Sequence, residues 1–522
     1  MDGNSIFDQI IEDINVLFGK LFTYNSKLLS LCNDKKYVPS FIEIFDFYIT
    51  SHAMTFLKNF YLEHIESHCI FLNARCIIEG LALKEGFKNG TFNESNVALL
   101  IHQDALIEYN QYKKFKSIYE SFLIPDDLKL KYEEACNYYT SILNDSFDDK
   151  EIKQIINSQI PFLCNPKMTY QRLVKEQLGE QMASYYSIFS SKIHPTNNIL
   201  MNPKGHTILL LDVYHLIKDA YYELPMEKID LRTLSMFLFS NKDAERFNDL
   251  IKAECTQLEQ IQADFQKNFG NNYVTDTFHM LSMQIQEVMV DKVFGFSEQV
   301  KSKWKVILET LASFYEVYLN SNNVEKQYKL LDCHSDLALT RIAEDRAEEE
   351  QILRKAFEYY KDIYPNGVEF ESFCSKFYLT TGFTIDEKGC VKNLTQLVNQ
   401  LAELFGDTEQ GQHSISNLIK LNYVEAQMIS HANGYLWFAN SGAWGDDNPI
   451  FMGFNCLLSF ICSYMSNIFR DGYNQTKLYK DKKTANILKQ ASKFIRSNSF
   501  EIAEILKKQT GKMFNWDSKF FN

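Results

Sequence analysis

Apolar positions recur at helical spacing almost from the start of the chain. Ile6, Ile10, Ile11, Ile14, Leu17, Phe18 and Leu21 mark one face of a helix over 5–32. Pro39-Ser40 introduces a second helix over 40–60, and a third over 62–85 is expected to stop at Gly86. The same period continues over 93–122 and over 126–145, where Asp126 follows Pro125 as an N-cap. A further helical stretch, 168–193, meets His194-Pro195, and the Asn-rich run 196–205 that follows is a loop. A strongly apolar helix over 207–224 ends at Pro225, and 228–295 is polar but still helical in pattern. Helices near 297–320, 324–361, 393–405, 412–440 and 453–471 and a Lys-rich C-terminal helix fill the second half. The one strand signal lies near 382–391, where Asp386-Glu387-Lys388-Gly389 can turn a small β-hairpin. The fold class is therefore all-α, with that hairpin as the exception.

The order of landmarks repeats. In the first half, His68 is followed by Arg75 and Glu79; in the second, His334 is followed at the same spacing by Arg341 and Asp345. Later, Tyr186 precedes His194 as Tyr423 precedes His431, and an apolar helix follows each. With the long aromatic-rich helix that precedes each Arg/acid helix, four matches in order point to a duplication. The expected organisation is a first bundle over 1–228, a helical connector over 229–296 and a second, diverged bundle over 297–522. The copies are unequal: Ser190 and Pro195 in the first stand where Gln427 and Ala432 stand in the second.

Composition supports this picture. Gly (20) and Pro (9) are scarce among 522 residues, so few breakers interrupt the helices. The net charge of -13 opposes indiscriminate attraction to nucleic acid or anionic membranes, though a local basic patch can bind either. Eleven Cys include no Cys-x-x-Cys pair, which fits neither a disulfide framework nor a zinc knuckle and points to a reducing, cytoplasmic setting. The N-terminus lacks the basic-then-apolar pattern of a signal peptide. The most apolar segment, 450–469, carries Asn455, Ser459, Ser463, Ser466 and Asn467 and is read as a buried core helix rather than a membrane span. No Walker loop, dinucleotide-binding turn, nucleophile elbow or kinase signature is present, which removes the commonest ATPases, dehydrogenases, hydrolases and kinases.

Arg75-x-x-x-Glu79 on one helix and Tyr186-x-x-x-Ser190-x-x-x-His194-Pro195 on a later one resemble an uncharacterised all-helical bacterial domain family. That family is marked by an Arg…Glu helix and a Tyr…Ser…His-Pro helix. Its bundle is similar to the RNase-type and nucleotide-binding bundles of prokaryotic toxins and abortive-infection proteins. The resemblance covers roughly 40–225 and, more faintly, 297–475. It implies a bacterial intracellular defence or stress effector acting on RNA or a nucleotide. The RNase members carry Arg and His close together on one helix, and no Arg here has a His at that spacing. A site in this chain would be assembled from separate helices.

The residues themselves admit two readings. Arg75 and Glu79 lie one turn apart on an apolar helix, so they form either an anion clamp with a general base or a brace between helices. His194 at a helix end is either a general acid or a cap, and Tyr186 and Ser190 on its face either line a pocket or bond Arg75. In the second copy, Arg341, Asp345, Tyr423 and His431 are the counterparts. His64 and His68 have a chelating spacing but no evident third ligand, so no metal and no cofactor is expected. Lys480, Lys482, Lys483, Lys489, Lys493 and Arg496 form a basic stretch that can hold nucleic-acid phosphates or pair with the chain's own acids. The partners to be weighed are RNA or a nucleotide, a protein, or a second copy of the chain, without a membrane. The alternative to an effector is a non-catalytic helical sensor or scaffold that binds a protein partner.

Overall fold

The computed structural model describes residues 3–32, 40–61, 68–114, 125–143, 168–193, 207–225, 242–269, 297–320, 324–342, 346–377, 386–403 and 480–510, most of 278–288, and single positions elsewhere, chiefly within 416–427 and 458–470. The protein is all-α, and no helix among the described residues is long and apolar enough to cross a membrane. The first half contains α1 (Gly3–Cys32), α2 (Phe41–Tyr61), α3 (His68–Lys88), α4 (Glu94–Lys114), α5 (Pro125–Leu143), α6 (Tyr170–Leu178), α7 (Glu180–Ile193) and α8 (Thr207–Tyr221). The second contains α9 (Lys242–Phe269), α10 (Ser297–Asn320), α11 (Val324–Ile342), α12 (Arg346–Ile363), α13 (Phe370–Phe377), α14 (Leu394–Glu403) and α15 (Lys482–Thr510).

Local chemistry sets several of these boundaries. Ser40 and Glu43 close a capping box at the start of α2, Ser40 N–H donating to Glu43 Oε2 at 2.8 Å and Glu43 N–H to Ser40 Oγ at 3.3 Å. Helix α3 does not stop at Gly86. It runs to Lys88 and closes at Gly90, whose φ of 75° suits a residue without a side chain. Gly86 serves packing instead: a Cβ there would lie 2.5 Å from the Phe92 ring. Pro125 occupies the first position of α5, where its missing N–H costs nothing, so Asp126 lies inside the helix rather than capping it. The continuous helix expected over 168–193 is broken at Gly179, φ 89°, into α6 and α7. Of the expected hairpin, 382–385 lie outside the described residues, and 386–390 form a turn. Asp386 N–H donates to Cys390 O at 3.0 Å and Gly389 N–H to Asp386 O at 2.9 Å, but no strand is present among the described residues.

One core gathers α1–α3 and α6–α8, with Leu17, Phe45, Tyr48, Leu72, Ile77, Phe189 and Val213 buried. Asp46 cross-braces that module by accepting from Lys84 at 2.6 Å, Tyr221 at 2.7 Å and Tyr24 at 2.9 Å, which ties α1, α2, α3 and α8 together. A second core unites α9, 278–288, α10, α14 and α15 with Leu458, Cys462, Met465 and Phe469. The apolar segment 450–469 thus supplies buried core positions, and the connector expected over 229–296 supplies α9 to the second core. A small third cluster joins α11, α12 and α13 around Tyr360 and Phe373. Helix α10 docks on α2 and α3, and its Val306 belongs to the first core.

Candidate functional site

The Arg–Glu motif of α3 is in the protein interior. Arg75 is 2 % exposed and Glu79 0 %, with Arg75 Nε 3.5 Å from Glu79 Oε1. Tyr186 of α7 donates its hydroxyl to Glu79 Oε1 at 3.0 Å. Tyr48 and Tyr170 are also buried beside Glu79, and burial together with its charge holds all three phenols well above their usual titration range. Cys76 is pushed up to about 12 by burial and is no nucleophile. One turn beyond Tyr186, Ser190 is half-buried. His194, Pro195, Asp345 and His431 lie outside the described residues, as does the side chain of Arg341. The structure therefore joins Arg75, Glu79 and Tyr186 of the expected set.

A similar arrangement occurs a second time, joining Tyr423 of the expected counterparts to α10, whose Lys305 and Glu309 were not among the expected site residues. Tyr423 donates to Glu309 Oε1 at 2.9 Å, and Lys305 lies one turn before Glu309 on α10. Glu309 is 1 % exposed and Lys305 6 %. Lys305-x-x-x-Glu309 with Tyr423 thus reproduces Arg75-x-x-x-Glu79 with Tyr186. The flanking helices agree. Helix α6 packs on α3 as α14 packs on α10. Thr169 caps α6 through Arg172 N–H, and Asn393 caps α14 through Gln396 N–H. The acid that receives Tyr423 is Glu309, so the buried counterpart of Glu79 sits on α10, the helix preceding Arg341. Ile307-Leu308-Glu309-Thr310-Leu311-Ala312 against Ile77-Ile78-Glu79-Gly80-Leu81-Ala82 was the available signal.

The two buried pairs influence one another across the module junction. The Lys305 ammonium is held below its usual range chiefly by burial, an effect that Glu309 opposes and Arg75 reinforces. Beside them, Glu287 Oε1 accepts from Lys303 Nζ of α10 and, at 2.5 Å, from Asn59 Nδ2 of α2. Lys303, Glu287 and Asn59 are all buried, so this contact crosses between modules without solvent. His52 of α2 donates from Nδ1 to Asn73 of α3 at 3.0 Å, and burial lowers it from 6.5 to about 4.

Among the described residues no group of three or more His, Cys, Asp and Glu is arranged to hold a metal ion. His64 and the side chain of His68 lie outside them. The basic residues of the C-terminal stretch are all exposed: Lys480 just before α15, and Lys482, Lys483, Lys489, Lys493 and Arg496 on it. Beneath them, Glu254 of α9 is buried facing Asn498 of α15, and burial raises its carboxyl from 4.5 to about 8. Comparison of the chain with protein-family models, with curated proteins and with solved structures gives no match.

Two of the shifted groups, His52 and Glu254, contribute to the pH dependence of stability with opposite sign. His52 takes up its proton only on unfolding between pH 6.5 and 4, so the stability it contributes above 6.5 is lost as pH falls through that window. Glu254 has the opposite sign. It keeps its proton in the fold and loses it on unfolding between pH 4.5 and 8, so its contribution fades as pH rises through that range. Each contributes a slope of about 1.4 kcal/mol per pH unit. The melting temperature should therefore fall on the alkaline side of pH 6.5, and Glu254→Gln should flatten that limb and melt higher than wild type at pH 8. Differential scanning fluorimetry across pH 5–9 checks this; an alkaline limb unchanged in Glu254→Gln would remove Glu254 as its cause.

Proposed function

We propose that this chain is a non-catalytic helical scaffold or sensor, and that its Arg–Glu and Tyr motifs brace the interior of two duplicated modules. The observation that carries this reading is the repeated buried bond, Tyr186 to Glu79 and Tyr423 to Glu309. An effector acting on RNA or a nucleotide through these residues would need Arg75 and Glu79 to reach substrate, whereas they are 2 % and 0 % exposed. Glu79 already accepts from Tyr186 and pairs with Arg75, and a reacting group must come within hydrogen-bond reach of its substrate or be joined to it through one water. The second pair argues the same way. A catalytic site drifting into disuse would be expected to lose its buried charges first, since an unneeded buried ion pair is readily replaced by apolar side chains. Both modules instead retain a base, an acid and a tyrosine.

The test removes both charges together. Arg75→Met with Glu79→Gln eliminates the ion pair yet leaves an acceptor for Tyr186. Wild-type protein and this double variant are incubated with mixed-sequence RNA and with nucleoside triphosphates, and products are resolved by gel and by chromatography. The scaffold reading predicts no turnover above buffer for either protein. Turnover by the wild type that vanishes in a double variant of unchanged melting temperature would overturn it.

A further inference from the structure

We propose that the outer face of α15 is a docking surface for single-stranded nucleic acid. This goes beyond the scaffold reading and does not depend on it. At 3.6 residues per turn, Lys482, Lys489, Lys493, Arg496 and Phe500 fall on one stripe of α15. The opposite face, with Leu488, Ile495 and Ile502, is buried in the second core. From Lys482 to Arg496 the stripe is about 21 Å long at 1.5 Å per residue. Lys480 and Lys483 extend it at the N-terminal end. Only one acid, Asp481, occurs between 480 and 500, and its carboxylate is used to cap the helix by accepting from Lys483 and Thr484 N–H at 3.1 and 3.2 Å.

Among the described residues the cations are not neutralised by acids of the chain. Among the described residues none of the six forms a salt bridge, although α9 alongside carries acids and its Arg246 pairs with Glu501 of α15 at 2.5 Å. Lys489 and Lys493 are one turn apart, as are Lys493 and Arg496, spacings at which like charges repel. A row of mutually repelling cations on a chain of net charge -13 is electrostatically complementary to a polyanion.

The aromatic residues narrow the choice of polyanion. Phe500 continues the stripe at 44 % exposure and Phe494 flanks it at 36 %. Exposed rings among phosphate-binding cations match the stacking of unpaired bases, which a duplex does not offer. An anionic bilayer fits poorly, because a surface-lying helix inserts its apolar face and that of α15 is already packed on α9. An acidic protein would use the cations but give the rings no bases to stack on.

The experiment uses the full chain and fluorescence anisotropy with a labelled single-stranded RNA of about 20 nucleotides, which more than spans the stripe. Single-stranded DNA of the same sequence, the duplex, polyglutamate and phosphatidylserine-containing vesicles are the comparison arms. Neutralising four phosphates predicts a log–log salt slope near about -3, a loss of roughly 50-fold in affinity between 50 and 200 mM salt. Lys489→Glu with Lys493→Glu should abolish most single-strand binding, by at least about 30-fold, and flatten that slope. Phe500→Ala should weaken single strands by about tenfold and spare the duplex. Since the altered side chains are exposed, melting temperatures should match wild type; should the double Glu variant unfold, the Gln pair replaces it. RNA and DNA strands binding alike supports the proposal, as does a preference for either. It is overturned if wild type binds neither strand, if the charge variants bind as wild type does, or if polyglutamate, vesicles or duplex are held as tightly.

Discussion

Glu79→Ala should destabilise the protein by about 3–5 kcal/mol, the usual cost of leaving one member of a buried ion pair without the other. The variant strands the Arg75 guanidinium in a site 2 % exposed and takes the acceptor from Tyr186. For a module of this size the melting temperature should fall on the order of 10 °C. Arg75→Met with Glu79→Gln should recover most of that loss, since removing both charges leaves none uncompensated. Thermal unfolding followed by circular dichroism gives the comparison. Glu79→Ala melting within a degree or two of wild type would mean that the pair is not a brace.

The second large effect is expected at the junction. Glu287 accepts from Lys303 of α10 and from Asn59 of α2, so one carboxylate holds both modules. Glu287→Ala leaves Lys303 as an uncompensated buried cation and removes the polar tie to α2. A loss of about 3–5 kcal/mol is expected. It should also change the shape of unfolding. Contacts that cross a junction couple the melting of its two sides, so weakening them separates one transition into two. Scanning calorimetry should show a broadened or split endotherm for Glu287→Ala where wild type gives a single one. A sharp, merely shifted peak would place the coupling in the apolar packing of α10 against α2 and α3.

Much of the architecture was legible because helical periodicity is a local property. The apolar stripe of Ile14, Leu17, Phe18 and Leu21 places α1 correctly, and Pro39-Ser40 marks the start of α2. Errors arose where tertiary contacts decide. Gly86 has the character of a helix stop, but the helix continues because the Phe92 ring needs that space; Gly179, which does break a helix, carried no warning. The motif pair Arg75 and Glu79 was visible as a charged pair among apolar residues, and its burial followed from that setting. Which residue partners it did not. Tyr186 is 107 positions away along the chain, and only the packing of α7 on α3 brings it to Glu79.

The order of landmarks suggests a duplication, and the proposed pairing of its Arg–acid helix differs in register from the one that spacing suggests. Spacing from a histidine drew attention to Arg341 and Asp345. The buried geometry selects Lys305 and Glu309 because a core position is defined by its apolar neighbours: Ile307, Leu308, Leu311 and Ala312 match Ile77, Ile78, Leu81 and Ala82. Lysine stands there for arginine, so α10 lacks the Arg-x-x-x-Glu pattern of α3. A buried lysine also behaves differently, because its compact charge yields to desolvation while a guanidinium stays protonated. The second brace is thus electrically softer than the first.

The central claim is that the motif residues hold the fold rather than act on a substrate, and a double-mutant cycle over Tyr186→Phe and Glu79→Ala tests it most directly. Denaturant unfolding of the wild type, both single variants and the double variant yields their coupling energy. A buried brace predicts singles that are each clearly destabilised and a coupling of about 1–3 kcal/mol. Single variants within about 0.5 kcal/mol of wild type, combined with loss of RNA or nucleotide turnover, would contradict it.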